Sequence, residues 1–133
     1  MKSFLKIAWL ALALFAANWL AAQTNPKFVA NMGGYYSGKI VRGAFLAQQG
    51  VSGFYKVNAQ HWEPLRVYAF NMAVFRDSVM IFQTHNDGQL VSDKIRGMLT
   101  KLQRGDEVLI YSIYAWNNSA KEVFLSPLQY FIQ

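Results

Sequence analysis

Two long stretches of the chain are apolar at almost every position. They run from Arg66 to Arg76, which is rich in Val, Tyr, Phe and Met, and from Glu107 to Asn117, which is rich in Ile and Tyr. Such runs are typical of long strands buried on both faces. Strict alternation groups Tyr68, Phe70, Met72 and Val74 on one face of the first strand and Val108, Ile110, Tyr114 and Trp116 on one face of the second. Aromatic residues on these strands are most simply interpreted as core residues.

Five shorter strands are predicted before, between and after these two along the sequence. Asp77-Ser78 has the character of a tight connection, and Asn117-Asn118-Ser119 that of a hairpin turn. The predicted shorter strands are Lys27 to Met32, Val51 to Val57, Val79 to Gln83, Lys121 to Leu125 and Leu128 to Ile132. Ala59 to Pro64 and His85 to Gly88 are predicted as a loop and a polar turn.

One helix is clearly indicated between the two long strands. Ile95, Met98, Leu99 and Leu102 have the spacing of a single apolar helix face, Ser92 suits the N-cap, and Gly105 suits the end. A second, ambiguous helix falls within Val41 to Gln49, before Gly50. We therefore predict a mainly β fold with a minor α component: an antiparallel β-sandwich-like domain with one or two short helices.

The first 22 residues have the pattern of an export signal. Lys2 and Lys6 precede an apolar run from Ile7 to Ala17, and small residues follow it up to Ala22. This arrangement is that of a secretory signal peptide, and the run is short for a bilayer-spanning helix. We predict cleavage after Ala22, a single domain over residues 23–133, a periplasmic or secreted location, and no stable membrane insertion after cleavage. An uncleaved anchor is the alternative.

Composition narrows the possible partners. The chain has no cysteine, so apolar packing must stabilise the exported domain without disulfides. Its net charge is +6, with 13 Lys and Arg against seven Asp and Glu, and the positive residues are spread along the chain. Nucleic-acid binding favours a dense basic stripe, so a nucleic-acid partner is not expected.

No recognisable catalytic or metal-binding set is present. His61 and His85 lack a second histidine at ligand spacing, and Gly33 to Lys39 departs from the phosphate loop because Ile40 replaces its hydroxyl residue. Asp106-Glu107 is interpreted as a solvated turn between helix and strand. We expect a protein that is not an enzyme and has no cofactor or metal. A hydrolase built on His61 or His85 remains a third hypothesis.

Aromatic and basic residues in turn-like sequence are the candidate contact residues. An aromatic side chain in a loop is a common anchor at protein interfaces. These candidates for partner binding are Tyr35, Tyr36, Lys39, Arg42 and Trp62.

The order of several motifs resembles the C-terminal domain family of the gliding-motility protein GldM, found in the Bacteroidetes. The stretches that carry the resemblance are Phe28 to Gly34, Gly50-Val51-Ser52, Arg66 to Arg76, Leu90 to Asp93, Leu102 to Val108 and Phe124 to Leu128. The resemblance spans about Asn25 to Gln133. It implies a β-rich periplasmic module used for protein–protein contact, related to the type 9 secretion system. A stand-alone, exported copy of that terminal domain is the expected description, because the sequence shows no transmembrane bundle before it.

The leading hypothesis from the sequence is thus a non-catalytic protein-binding module of the bacterial envelope, docking through loops or an exposed strand edge. The second hypothesis is a small-ligand or glycan-binding protein that uses the same aromatic residues.

Overall fold

The computed structural model describes residues 27–133, so the predicted signal peptide and its cleavage site after Ala22 lie outside the described residues. Eight strands and two short helices follow one another along this part of the chain. They are β1 (Phe28–Asn31), β2 (Gly38–Ile40), α1 (Arg42–Leu46), β3 (Ser52–Asn58), β4 (His61–Arg76), β5 (Val79–Asp87), α2 (Asp93–Leu99), β6 (Glu107–Trp116), β7 (Glu122–Leu125) and β8 (Leu128–Ile132). The predicted mainly β class with two short helices is confirmed.

One mixed sheet contains all eight strands: six follow the order β1-β3-β4-β6-β8-β2, while β5 pairs with β4 and β7 pairs with β6. The long strands β4 and β6 change partners along their length. β4 pairs with β3 near its start and with β5 over its second half, while β6 pairs first with β8 and then with β7. Neighbouring strands are antiparallel except β2 and β8, which run parallel and make the sheet mixed.

The sheet curls until its β1 side meets β7. The backbone amide of Ser126, just after β7, donates to the Phe28 carbonyl oxygen at 3.3 Å. The curled inner face holds the main core, to which the helices add Phe45, Ile95 and Leu99. Neither helix packs on the opposite face, part of which forms a second, smaller buried cluster of Ala73, Phe75, Leu109 and Tyr111.

Irregular pairing in the long strands changes which residues share a face. In β6, Ser112 adopts a φ of +49°, and the pairing with β4 slips between Tyr114 and Tyr111. A β-bulge of this kind lets the alternation restart. The predicted faces are therefore right on one side of the irregularity and wrong on the other. Phe70, Met72 and Val74 of β4 and Val108 and Ile110 of β6 lie in the inner core as grouped, but Val67 takes the place of Tyr68, and Ile113 and Ala115 take the places of Tyr114 and Trp116.

Two segments predicted as irregular belong to strands. β4 begins at His61 rather than Arg66, and it accommodates Pro64 because β6 pairs with β4 only from Arg66 onward. Proline is tolerated where one edge of a strand has no ladder partner. β5 likewise continues through His85 to Asp87, so the predicted polar turn is reduced to Gly88, whose φ is +89°.

The remaining turns and the second helix agree with the sequence pattern. Asp77 and Ser78 both have positive φ in the two-residue connection between β4 and β5. Ser92 is the N-cap of α2, and its side-chain oxygen accepts a hydrogen bond from the Ile95 amide at 3.3 Å. The helix ends at Leu99, with Thr100 as its C-cap, which is earlier than the predicted end at Gly105.

Buried Asn86 connects the end of β5 to the start of α2. Its Nδ2 donates to the carbonyl oxygens of Leu90 at 3.0 Å and Gly88 at 3.1 Å, and its Oδ1 accepts from the Ser92 amide at 2.9 Å. The side chain thereby satisfies backbone groups on both sides of the reversal, and it fixes α2 beside β5.

Asp106 is buried, which corrects its interpretation as part of a solvated turn. Its carboxylate accepts hydrogen bonds from Nε and Nη2 of Arg76, both at 2.8 Å, and from the Gln103 amide at 2.8 Å. The Arg76 guanidinium holds the pKa of Asp106 below its usual value. This ion pair ties the end of β4 to the turn before β6.

Candidate functional site

The outer face of the sheet is the candidate functional site, since the helices pack on its other side. Residues that lie directly opposite on neighbouring strands project to the same face. One such row joins Phe124, Tyr114 and Ala69 across β7, β6 and β4, and the row beside it joins Trp116 to Arg66. The bulged register of β4 and β6 thus places aromatic side chains side by side on this face.

Four aromatic rings on this face form a continuous stack, here called the aromatic ladder: Trp116, Tyr68, Tyr114 and Phe124. The ring centroids of successive members are 4.9, 5.9 and 4.4 Å apart. Trp116 and Tyr68 are nearly parallel, with an angle of 22° between their planes, while the other two pairs are tilted. Each such pair stabilises its arrangement by roughly 0.5–1.5 kcal/mol beyond the area it buries. The two ends of the ladder remain in water, with Trp116 38% and Phe124 43% exposed.

A carboxylate fixes the phenol in the ladder. The Tyr68 hydroxyl donates to Oε2 of Glu122 at 2.6 Å. Burial among its neighbours and this hydrogen bond raise the pKa of Tyr68 to about 12, because both disfavour the phenolate. Tyr68 is therefore neutral at physiological pH, and the ladder presents an uncharged aromatic surface.

A polar network continues the outer face toward β5. The His85 ring nitrogens lie 2.7 Å from Oδ1 of Asn71 and 3.0 Å from Oδ1 of Asp87. Nearby, Gln83 donates to the Tyr111 hydroxyl. The histidine is exposed and engaged on both nitrogens, so the network orients surface side chains.

The structure separates the contact residues suggested by the sequence. Trp62 lies near the start of β4, 40% exposed, and the Lys56 ammonium lies 5.4 Å from its ring centroid. Lys39 is on β2, which is separated from β4 by β6 and β8 in the sheet order. Trp62 thus belongs to the β3–β4 hairpin, and Lys39 to the far edge of the sheet.

Tyr35, Tyr36 and Arg42 lie in the connection on either side of β2. Tyr35 and Tyr36 are exposed, at 44% and 55%, in the connection between β1 and β2. Arg42 has a structural contact: its Nε donates to the Leu102 carbonyl at 2.8 Å and its Nη2 to the Thr100 carbonyl at 2.6 Å. This guanidinium therefore caps the C-terminal end of α2, where a basic side chain stabilises the last carbonyl groups of a helix.

A shallow cavity opens beside the β3–β4 hairpin. Its volume is about 290 Å³, and Phe28, Tyr55 and Leu65 give it apolar walls. Glu63 and the turn at Asn118 form its polar side, where the Asn118 amide donates to Glu63 at 3.2 Å. The combination of two aromatic rings with hydrogen-bonding groups suits a small polar molecule.

Interpretation of the strand aromatics as core residues is wrong for Tyr68, Tyr114 and Trp116, which lie on the outer face. A signal in the sequence pointed to this. Across the β6–β7 hairpin Trp116 lies opposite charged Glu122, and a carboxylate marks the solvent-facing side of such a pair. The alternation on β7 therefore indicates the exposed face better than the unbroken apolar run of β6.

No family model matches the chain, and no curated protein matches it. Within residues 27–133, no helix has both the length and the apolar character that crossing a bilayer requires.

Proposed function

We propose that this protein is an exported, non-catalytic interaction module of the bacterial cell envelope, and that the aromatic ladder is its protein-binding surface. The observation that carries the proposal is a stack of four aromatic rings on the sheet face opposite the helices, partly exposed at both ends. Aromatic residues are enriched where protein interfaces are most buried, because they contribute a large area at a low cost in side-chain entropy. A partner that covers the ladder would remove this apolar surface from water.

The packing of the rings favours a protein over a sugar as the partner. A sugar stacks on a free ring face, whereas Tyr68 and Tyr114 each have a ring neighbour on both sides. Within the ladder, only Trp116 and Phe124, at its two ends, have a ring face without a ring neighbour. Ring edges carry partial positive charge and suit carbonyl oxygens and other aromatic rings, which are abundant on protein surfaces.

Charges around the ladder favour a partner with carboxylates. Arg66 lies directly opposite Trp116 in the sheet, and Lys56 lies over Trp62 on the adjoining hairpin. Within residues 27–133, neither cation has a carboxylate at ion-pair distance. Unpaired cations at the rim of an apolar patch attract an acidic partner and raise the rate of encounter.

The leader pattern and the resemblance to the GldM C-terminal domain supply the cellular setting. The leader pattern supports a periplasmic or secreted location. The resemblance supports the Bacteroidetes envelope as the setting, with another envelope protein of the secretion or gliding machinery as the partner. The proposal needs only export and docking, and it assigns no motor role to the chain.

Site-specific photo-crosslinking in intact cells tests this function. The full-length chain is expressed in a Bacteroidetes host with a photoreactive phenylalanine analogue at Phe124. We expect a crosslinked envelope protein, and the purified partner should then bind the wild-type protein directly. Trp116→Ser and Phe124→Ser should each weaken this binding by at least about tenfold, the loss of one interface anchor.

The matched control uses Leu90, which is 65% exposed and lies in the connection between β5 and α2, away from the ladder. The photoreactive analogue at residue 90 should give no crosslink to the same protein, and Leu90→Ser should leave binding unchanged. Equal crosslinking from positions 90 and 124, or unchanged binding by both ladder variants, would refute the assignment. Recovery of the protein only from the cytoplasm would refute export.

Glycan or small-ligand binding is the second candidate, and the cavity beside Phe28 and Tyr55 favours it. Its two rings lie 5.2 Å apart, and Glu63 offers a carboxylate beside them. Calorimetry with soluble fragments of envelope polysaccharide would show heats that Tyr55→Ala abolishes and Trp116→Ser leaves intact. Heats lost with Trp116→Ser instead would place sugar binding on the ladder.

A further inference from the structure

Strand β5 has one edge that no other strand of residues 27–133 covers. Its opposite edge pairs with β4. Near Asp87 the strand is followed at once by the connection that Asn86 fixes, so the open part of the edge is Val79 to Thr84. That stretch contains no Lys, Arg or Pro, the residues that usually prevent strands from pairing at an edge.

A bulge in β5 places two apolar side chains next to each other. Val74 pairs with Phe82 and Phe75 pairs with Met80, which leaves Ile81 as the extra residue. Bulges turn side chains from their regular direction. Ile81 and Phe82 both line a groove between β5 and the end of α2, and Ile81 is 41% exposed.

The groove is an open apolar cavity of about 260 Å³ with basic residues at its rim. Met98 and Leu102 form its helix side, and Lys101 and Arg76 stand at its margin. The Arg76 guanidinium is bound to Asp106 and is not available as a free cation. A strand edge lying along a helix, with an apolar groove between them, is an arrangement that accepts an extended peptide.

Two lysines stand beside the groove. Lys101 follows the end of α2 and lines the groove with Met98, and Lys94 lies four residues before Met98 on the same side of the helix. Among the described residues, neither Lys94 nor Lys101 has a carboxylate at ion-pair distance. The groove therefore joins an apolar floor to two uncompensated positive charges.

We propose that β5 and α2 together form a second docking site, which takes an extended segment of a partner protein with alternating apolar and acidic residues. The segment adds a strand to the open edge of β5, inserts an apolar side chain between Phe82 and Met98, and directs carboxylates toward Lys94 and Lys101. This site is separate from the aromatic ladder, and it operates whether or not the ladder binds.

The same charges disfavour a second copy of this chain as the occupant. Antiparallel pairing of two β5 edges in one continuous sheet would place α2 of both copies on the same face of the sheet, one on each side of the seam. The lysines of the two copies would then face each other, and like charges in proximity oppose association. An acidic segment compensates these charges, whereas a second copy doubles them.

The test uses the full-length protein and a panel of hexapeptides that alternate Val, Leu, Ile or Phe with either Glu or Lys. Binding is followed by fluorescence anisotropy and by amide chemical shifts in two-dimensional NMR. We expect members of the Glu series to bind at micromolar to millimolar concentrations and to shift the amides of residues 79–84. The best binder should lose about tenfold or more in affinity when alternate backbone nitrogens are methylated, because methylation removes strand hydrogen bonds.

Variants of the protein separate the side-chain and backbone contributions. Ile81→Lys places a charge on the open edge and should abolish binding, with an unchanged circular dichroism spectrum. The double variant Lys94→Glu, Lys101→Glu should weaken binding of the Glu series about tenfold and the effect should diminish at high salt. Lys121→Glu, in the turn between β6 and β7, is the matched control and should have no effect, as should Trp116→Ser.

Four results would overturn the proposal. One is equal binding of the Glu and Lys series, and another is binding that backbone methylation leaves intact. The third is concentration-dependent dimerisation of the wild-type protein in sedimentation, lost in Ile81→Lys, which would assign the edge to a second copy. Absence of binding by every Glu peptide at millimolar concentration would equally refute it.

Discussion

Replacement of Asn86 by Asp tests whether one buried amide holds β5 and α2 together. The substitution preserves the shape of the side chain and retains an oxygen to accept the hydrogen bond of the Ser92 amide. It replaces the Nδ2 donor, however, with an oxygen that faces the carbonyl groups of Gly88 and Leu90, now 3.1 and 3.0 Å from Nδ2. At neutral pH the new oxygen in the place of Nδ2 would face these acceptors with no donor.

The expected loss of stability follows from these contacts. Two hydrogen bonds at 3.0–3.1 Å contribute about 1 kcal/mol each to the free energy of unfolding. Residue 86 is 1% exposed, so the cost of burying an uncompensated charge adds to this loss. We expect Asn86→Asp to lower the free energy of unfolding by about 3–5 kcal/mol at pH 7.

The pH dependence of the stability loss distinguishes a buried charge from a side chain that merely packs poorly. Burial opposite two carbonyl oxygens raises the pKa of the new carboxyl group in the folded state above that in the unfolded chain. The penalty is therefore greatest at neutral pH, and it decreases as pH falls through the raised pKa, because the protonated acid donates a hydrogen bond. The difference from wild type should narrow by at least about half between pH 7 and pH 4.

Urea unfolding followed by tryptophan fluorescence and circular dichroism measures these differences. Asn117→Asp is the matched control, because its Oδ1 only accepts, from the amides of Ser119 and Lys121. A carboxylate serves there equally well, and we expect a change within about 0.5 kcal/mol. A loss below about 1 kcal/mol for Asn86→Asp, or one that does not change with pH, would refute the reasoning.

Three further substitutions test other contacts by the same unfolding assay. Asp106→Asn should destabilise at pH 7, and less so in acid, because the lowered pKa of Asp106 confers stability that is lost as pH falls through its folded-state value; an equal effect at pH 7 and pH 3 would contradict this. Tyr68→Phe should lessen the loss of stability between pH 10 and pH 12. The pKa of Tyr68, raised to about 12 beside Glu122, confers stability that is lost as pH rises through that value. Identical dependence of stability on alkaline pH in wild type and variant would contradict this. Gly53→Val should lower the free energy of unfolding by about 1–3 kcal/mol, because a Cβ at residue 53 would lie 2.5 Å from Cδ1 of Leu125. A stability equal to wild type would contradict this.

Local chemistry in the sequence was enough to predict most of the elements, but not strand β2 or the faces of the long strands beyond their irregular pairing. The Ser92 cap, the Asp77-Ser78 connection and strand Leu128–Ile132 follow from signals that lie within a few residues of one another. The bulge at Ser112 has no such signal, because an apolar run on both sides of it fits either alternation. The faces depend on pairing between distant strands, which a single sequence does not specify.

The residues of the candidate site are likewise only partly predictable from a single sequence. Trp62 was identified by its position in apparently irregular sequence, and the structure places it on an exposed hairpin. Trp116 and Tyr114 were assigned to the core, because a buried strand and a strand with one aromatic, exposed face have almost the same composition. Arg42 was chosen for its charge, but its hydrogen bonds to Thr100 and Leu102 depend on a helix that lies far away in the sequence.

The place of β8 in the sheet has a consequence for the timing of folding. Leu128, Tyr130 and Ile132 are buried, and their strand lies between β6 and β2, so two distant parts of the chain can join only after residue 132 has been synthesised. Until then, β2 has no strand partner and the core cannot close. The domain therefore stays open until β8 has been made, which is the state that a translocation channel for unfolded polypeptides accepts.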